Sequence, residues 1–320
     1  MSDLDVLDTH PDAGRIRSRR LSQGVAVLIV DATDLDDAQQ KALEQSLRAA
    51  ATAIPGVTEA RVALTAAKRG RTLVAIGSGK GGVGKSTLAA NLAVALARMG
   101  RKVGLIDADI YGPSQPRLFD ARQRAEARDK QLLPIEAHGI KLLSVGQLVD
   151  EGTALAWRGP MASGALNQLI EADWGDAEIL IVDLPPGTGD VQLSLIQKAR
   201  PAAAVIVSTP QDLSLIDAAR AIDLFEKTHV PVAGIIENMA GYECPHCGKA
   251  SDPFGHGGAE AEARRLGIAF LGRLPLSASL REASDAGQPP AAGDGPAAEA
   301  FADLARKLLV QLETIAGSRH

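Results

Sequence analysis

Gly79-Lys-Gly-Gly-Val-Gly-Lys-Ser-Thr87 concentrates more chemistry than any other run of this 320-residue chain. It satisfies the G-x-x-x-x-G-K-[S/T] pattern, follows the apolar run Leu73–Gly77 and opens a helical stretch, which is the context a phosphate-binding loop needs. Gly79, Gly81, Gly82 and Gly84, with Val83 among them, let backbone N–H groups turn inward around phosphate oxygens, and the helix start adds its positive end. Lys85 is expected to neutralise β- and γ-phosphate charge and the Ser86 hydroxyl to ligate Mg²⁺, with Thr87 closing the motif. Lys80 is a second cation in the loop. It cannot share a phosphate with Lys85 without repulsion unless it reaches another site.

Acids follow at the ends of apolar runs. Val103-Gly-Leu-Ile-Asp107-Ala-Asp109 places two carboxylates at and beyond a strand end, where open α/β sheets bind ligands. Residues two apart on a strand share a face, so Asp107 and Asp109 can point the same way, beside a bound metal and triphosphate. Ile179-Leu-Ile-Val-Asp183 repeats the pattern, and Asp183 is expected to hold Mg²⁺. The glycine-hinged Leu184-Pro-Pro-Gly-Thr-Gly-Asp190 suits a switch that senses the γ-phosphate. The guanine-reading Asn-Lys-x-Asp motif does not occur in the sequence.

The variant Gly-Lys-Gly-Gly-Val-Gly-Lys-Ser resembles the deviant phosphate loop of the MinD/ParA and nitrogenase iron-protein class. The resemblance implies that Lys80 crosses a dimer interface to the partner's nucleotide, hence an ATP-sandwich homodimer. It makes the stretch after Asp107 the first switch, with Asp109 positioning the attacking water. It also matches Asn238, just after Val232–Glu237, to the asparagine that reads adenine, which favours ATP.

The chain has 2 cysteines, both in Gly241-Tyr-Glu-Cys244-Pro-His-Cys247-Gly248. Three readings compete. A structural zinc needs two more ligands; His246 lies between the cysteines, badly placed to share their metal, and His256 is a candidate third. Dithiol redox chemistry suits Cys-x-x-Cys, but such pairs favour a helix start, and this one follows a late strand. An iron–sulfur cluster shared by two chains takes two thiolates from each, the four that a [4Fe–4S] centre uses.

Here the chain resembles the Mrp/ApbC family of ATP-dependent iron–sulfur cluster carriers over residues 71–320. The motifs that carry the resemblance are Gly79–Thr87, Asp107–Pro116, Trp157-Arg-Gly-Pro-Met161, Gly164–Gln168, Asp183–Asp190, Thr209–Asp212, Glu237-Asn-Met239, Cys244–Cys247, Phe254–Gly258 and Arg281–Asp285. It implies a homodimer that hydrolyses ATP slowly, binds a bridging [4Fe–4S] cluster through Cys244 and Cys247, takes clusters from scaffold proteins and passes them to apo-proteins. Residues 1–70 resemble, more weakly, a MIP18-like domain, degenerate in lacking cysteine, which leaves docking or packing as the role expected there.

These residues need a frame. The expected strands Leu73–Gly77, Val103–Asp107, Ile140–Val145, Ile179–Asp183, Ala203–Ser208, Val232–Glu237 and Ala269–Leu271 are nearly continuous in Val, Ile and Leu, as in strands buried on both faces of a parallel sheet. Helical stretches such as Lys85–Met99 and Leu213–Thr228 alternate with them, so the fold class is α/β, a doubly wound, mostly parallel sheet. Residues 1–70 form a smaller α+β unit with strands at Gly24–Val30 and Thr58–Leu64, a helix from Asp34 to about Ala53, and a linker at Ala67–Gly70. Ala283–Ala298, rich in Pro, Gly and Ala, is expected to be a surface loop before a last helix at Glu299–Glu313.

Hydrophobic residues are 46% and charged residues 23% of the chain, which excludes disorder as its dominant state. Net charge is −5 and aromatics are 3%, so neither a basic surface nor base-stacking platforms point to nucleic acid. The basic runs Arg15–Arg20 and Lys68–Arg71 read as solvated faces. Met1–Pro11 carries Asp3, Asp5 and Asp8 and lacks the apolar segment of a secretory signal, and no run approaches a membrane span, so a cytoplasmic protein without membrane partners is expected. The rival reading is a positioning ATPase of the MinD/ParA type. Its membrane form needs a basic amphipathic C-terminal helix, whereas Phe301–Ile315 offers only Arg306 and Lys307 as cations.

Overall fold

Along Val25–Asp31, Ala26, Leu28 and Val30 are buried and the residues between them are not, the period-two pattern of a strand with one covered face. This computed structural model describes residues 4–32, 35, 37–65, 71–128, 131–148, 159–244 and 246–318. The expected linker Ala67–Gly70, the first residues of the helix expected from Asp34, Trp157 and Arg158 of one motif, and Pro245 of the cysteine run lie outside the described residues.

The chain divides into two units, Met1–Gly70 and Arg71–His320. In the first, β1 (Ile16–Ser22), β2 (Val25–Asp31), α1 (Asp37–Thr52) and β3 (Glu59–Thr65) build a sheet in the order β1-β2-β3. β1 runs antiparallel to β2, and β3 parallel to it. Leu28, Val30, Leu43, Leu47 and Ala51 form its core. The basic run read as a solvated face is strand β1: Arg17 bonds Asp31 at 2.6 Å and Arg19 bonds Asp8 at 2.7 Å, with Ile16 and Leu21 packed inward. Arginines hid the strand because their heads stay at the surface while their positions alternate.

The second unit runs β4 (Thr72–Gly77), α2 (Lys85–Arg98), β5 (Val103–Asp107), α3 (Gln115–Leu118), β6 (Glu126–Arg128), β7 (Gln131–Leu133), β8 (Ile135–Ala137), β9 (Ile140–Ser144) and α4 (Gly159–Ile170). It continues with β10 (Ile179–Asp183), α5 (Asp190–Ala199), β11 (Ala203–Ser208), α6 (Asp212–Lys227), β12 (Val232–Glu237), β13 (Tyr242–Glu243), β14 (Ala250–Ser251), α7 (Gly258–Leu266), β15 (Phe270–Arg273), α8 (Ala278–Asp285) and α9 (Pro296–Gly317). Among the described residues an eight-stranded sheet has the order β15-β12-β11-β4-β10-β5-β9-β8. It is parallel except for the edge strand β8. The doubly wound, mostly parallel architecture is therefore as expected. From β4 the chain crosses to β5 and β9, then returns through β10, which slots between β4 and β5, before moving on to β11. The reversal lies at β4 and β10, and such points open a crevice at the carboxyl ends of the strands.

Two apolar layers enclose the sheet. Trp174, Leu180, Val182, Ile206 and Phe225 lie in one. Ile76, Leu92, Leu105, Ile181 and Phe301 lie in the other. α2 is apolar almost all round, as a helix covered on both sides must be: it packs against the sheet and, outward, against α9. Phe301, Leu304 and Leu308 of α9 are buried, so this helix is packed into the fold. Among the described residues, no helix is long and apolar enough to cross a membrane.

Ala283–Ala298 departs from the expected surface loop. It contains the end of α8 and a short 3-10 turn, Pro290–Ala292, that closes over α2. Ala291 is buried, its N–H donates to Asn91 Oδ1 at 2.8 Å, and Arg98 donates to its carbonyl at 2.9 Å. Proline, glycine and alanine marked the absence of a long helix correctly, but alanine is small enough to plug a groove. Asn91→Ala strips the buried Ala291 N–H of its acceptor and should lower unfolding stability by about 1–3 kcal/mol in chemical denaturation.

Candidate functional site

Strand register brings the acids together. In the β10–β5 ladder Asp183 pairs directly with Asp107, and in the β10–β4 ladder with Ile76, just before the glycine loop. Asp107 and Asp183 are fully buried and Asp109 nearly so. Lys85, at the first turn of α2 and itself only 6% exposed, extends its ammonium among them. Its Nζ lies 2.5 Å from Asp183 Oδ1, 3.4 Å from Asp109 Oδ2 and 3.3 Å from Ser86 Oγ. Burial alone would pull the lysine down in pKa, but Asp183 first and Asp109 second outweigh it and hold the ammonium above its ordinary value.

Asp107 has a different environment. Its Oδ1 accepts from Asp109 N at 3.2 Å, and its Oδ2 from Gln115 N at 3.0 Å and Ser144 Oγ at 2.9 Å. It ties the first switch to the ends of β5 and β9. Burial, and then the charge of Asp183, push its carboxyl up to about 7 against the pull of the Gln115 N–H, the Ser144 hydroxyl and Lys85. Gln115 spans the remaining gap: Nε2 donates to Ser86 O and to Asp183 Oδ2, both at 2.9 Å.

The loop itself is shaped by backbone that only glycine adopts without strain. Gly82 and Gly84 have φ of +80° and +82°, and a Cβ on Gly84 would fall 2.2 Å from Asn238 Nδ2. Gly79 meets the backbone of α6, where a Cβ would fall 2.0 Å from Asp217 O. The second switch lies alongside, Gly187 N donating to Ser78 O at 2.9 Å, while Ser78 Oγ donates to Lys80 O at 2.9 Å. Lys80 is half-buried. Asn238, matched to adenine reading, stands at the loop's other flank, donating Nδ2 to Val83 O at 2.8 Å. Ser86, Asp183 and the glycine cradle thus converge as the sequence implied. The half-buried Ser86 hydroxyl and the buried Asp183 carboxylate offer oxygens that suit a hard divalent cation such as Mg²⁺, and Gln115 Oε1 is buried with no hydrogen-bond partner among the described residues.

The cysteines occupy a separate feature. β13 and β14 form a two-stranded antiparallel hairpin, and Cys244 and Cys247 lie in its turn, closed by Gly248 N to Cys244 O at 2.8 Å and Cys244 N to Lys249 O at 3.0 Å. Cys244 is half-buried and Cys247 exposed. The backbone N–H of His246, that of Cys247 and the Cys247 thiol face the Cys244 sulfur and hold it below the ordinary thiol range, favouring the thiolate. His256, the candidate third ligand, bonds Asp252 at 3.0 Å instead, and among the described residues no group of three or more His, Cys, Asp or Glu could hold a metal ion.

Three residues that matter here were not singled out from the sequence: Gln115, Ser144 and Glu237. Glu237, buried at the end of β12, accepts from Gly257 N at 2.9 Å and Ala259 N at 2.8 Å, anchoring the start of α7. A buried acid or amide inside a motif was the only signal, and its partners are distant in sequence.

Residues 69–309 match the model of the ParA family, described as the NUBPL iron-transfer P-loop NTPases. The chain belongs to this family. An iron–sulfur cluster carrier protein of Pseudomonas fragi is 50% identical, covering 73% of this chain and 84% of its own length. A protein of the same name from Deinococcus radiodurans is 44% identical over 98% of this chain and 93% of its own. Among solved structures, the Archaeoglobus fulgidus nucleotide-binding protein in complex with ADP superposes with a TM-score of 0.61 at 41% identity, covering 68% of this chain and 87% of that one. Both the cluster-carrier resemblance and the relation to the P-loop ATPase fold thus stand.

The buried acid cluster has a pH signature. A carboxyl raised in the folded state binds its proton there more tightly than in the unfolded chain, so its contribution falls as pH rises from the unfolded value near 4 to about 7. Asp107→Asn should remove that slope, at most about 1.4 kcal/mol per pH unit. Denaturant unfolding of both proteins in chelator, without nucleotide, measures it: stability of the variant relative to wild type should climb between pH 4 and 7 and level off above.

Proposed function

We propose that this chain is an ATP-hydrolysing carrier of iron–sulfur clusters. Two copies hold a [4Fe–4S] cargo between their Cys244 and Cys247 thiolates and deliver it to apo-proteins. The observation that carries this reading is a short covalent link. β12 ends at Glu237, Asn238 then donates to Val83 in the glycine loop, and the same connection runs on into the cysteine hairpin. The names of the relatives support the cargo, and the ADP bound to the Archaeoglobus fulgidus protein supports the nucleotide.

In this reading the loop amides and Lys85 bind the triphosphate. Lys85 exchanges Asp183 for phosphate oxygens, and Asn238 reads the adenine edge. Ser86 and Asp183 would hold Mg²⁺, which supplies charge neutralisation on the phosphates when bound. Asp109, beside Lys85, orients the attacking water, whose oxygen bonds the γ-phosphorus as the bond to ADP breaks. Lys80 reaches the partner's nucleotide in a homodimer, so hydrolysis changes the spacing of the two copies and of their cysteine turns. Residues 1–70 serve docking or packing.

Anaerobic reconstitution with iron and sulfide tests the assignment. Wild type should load about two irons per chain in a dimer. Cys244→Ala/Cys247→Ala should load none, and cluster absorption that persists in it sinks the ligand assignment. Lys85→Ala should keep the absorption and lose ATP hydrolysis, by about 10²-fold or more. Stoichiometric zinc in purified protein, with failed transfer to several apo-enzymes, would favour the zinc reading.

A further inference from the structure

We propose that Gln115 is a positioning residue for the metal side of this site: its Nε2 fixes Asp183, and its Oε1 accepts a hydrogen bond from the hydration shell of the divalent cation bound with the nucleotide. The inference rests on the Mg²⁺ reading above.

Gln115 is fully buried, and a buried carboxamide is costly unless its polar atoms are bonded. Its donor side is satisfied twice, by Ser86 O and Asp183 Oδ2. The orientation follows from these partners. Both are acceptors, so a flipped amide would set oxygen against oxygen at 2.9 Å. Oε1 is then the acceptor left over, buried and without a partner among the described residues. Such an atom in a well-packed core calls for a donor. The groups bonded to its Nε2, Asp183 and the Ser86 carbonyl, only accept, and Lys85 on the same carboxylate is already committed to Asp183, Asp109 and Ser86. Magnesium keeps several of its waters in protein sites, and those waters are donors.

The two halves of the amide complement each other. Asp183 receives Lys85 on Oδ1 and Gln115 on Oδ2. When Lys85 turns to a phosphate, Gln115 still holds Oδ2, so the carboxylate keeps its aim and Oδ1 becomes free for the metal side. The backbone N–H of Gln115 meanwhile bonds Asp107, so the same residue ties the first switch to this arrangement.

Equilibrium titration of the full chain with a fluorescent ATP analogue, in EDTA and across a magnesium series, tests this. Wild type should bind more tightly as magnesium rises. Gln115→Leu should need about tenfold more magnesium than wild type for the same gain over its own binding in EDTA. Thermal melts in EDTA check folding, and Gln115→Met replaces the leucine variant if that one fails to fold. The full magnesium gain in Gln115→Leu overturns the inference, as does equal loss with and without metal. Absence of any magnesium dependence in wild type overturns the metal reading itself, and this inference with it.

Discussion

A single buried ammonium holds the nucleotide end together. Parallel pairing of β10 with β5 sets Asp183 beside Asp107, and the turn after β5 adds Asp109, so three carboxyl groups share a volume with little water. Like charges so close cannot all ionise without a cation. Lys85 supplies it, with its ammonium against Asp183 and Asp109, while Asp107, desolvated by burial and then facing the Asp183 charge, has its carboxyl pushed up to about 7. Removing one partner of a buried pair costs about 3–5 kcal/mol, so sheet register, helix start and glycine loop are locked to one another. The same constraint prepares the chemistry. In the proposed reading a triphosphate would offer Lys85 a denser set of anionic oxygens than Asp183 does, and the carboxylate left behind is already held by Gln115.

From that cluster the structure extends in one direction toward the thiols. Asn238 lies against Gly84 and bonds Val83, so the loop and the end of β12 are in direct contact. Glu237, one residue earlier, bonds the N–H groups of Gly257 and Ala259 and so fixes the start of α7, which follows the cysteine hairpin in the chain. The hairpin is thus bracketed by two segments that answer to β12. Packed elements pass on a displacement when they move as units, and here the units are short and hydrogen-bonded at both ends.

The sequence displayed much of this, unevenly. Val103–Asp107, Ile179–Asp183, Ala203–Ser208 and Val232–Glu237 have the bounds read from the sequence because strands buried on both faces must be apolar at every position. β1 was missed because its arginines carry the charge of a surface run, and β8 because an edge strand of three residues has too little pattern to count. Ala283–Ala298 was misjudged because composition reports the absence of a long helix and says nothing about burial. At the site, the phosphate loop and its acids were legible as local spacing. Gln115, Ser144 and Glu237 were not, since what makes each matter is a partner brought near only by register or by crossover.

Composition already hinted at the cysteine site, since one Cys-x-x-Cys cannot fill a four-thiolate centre. The structure narrows the choice among its uses. A redox dithiol gains its reactivity from a helix start or a neighbouring cation. Here the pair lies in a hairpin turn, and the Cys244 sulfur is lowered by backbone N–H groups instead. Such donors stabilise a thiolate without shielding it, and Cys247 is left exposed. In the proposed reading an open pair with one lowered thiol suits a soft metal centre completed from outside the chain, where a second copy would bring the missing thiolates. Exposure, a flaw in a structural zinc site, is what a cargo that must leave requires.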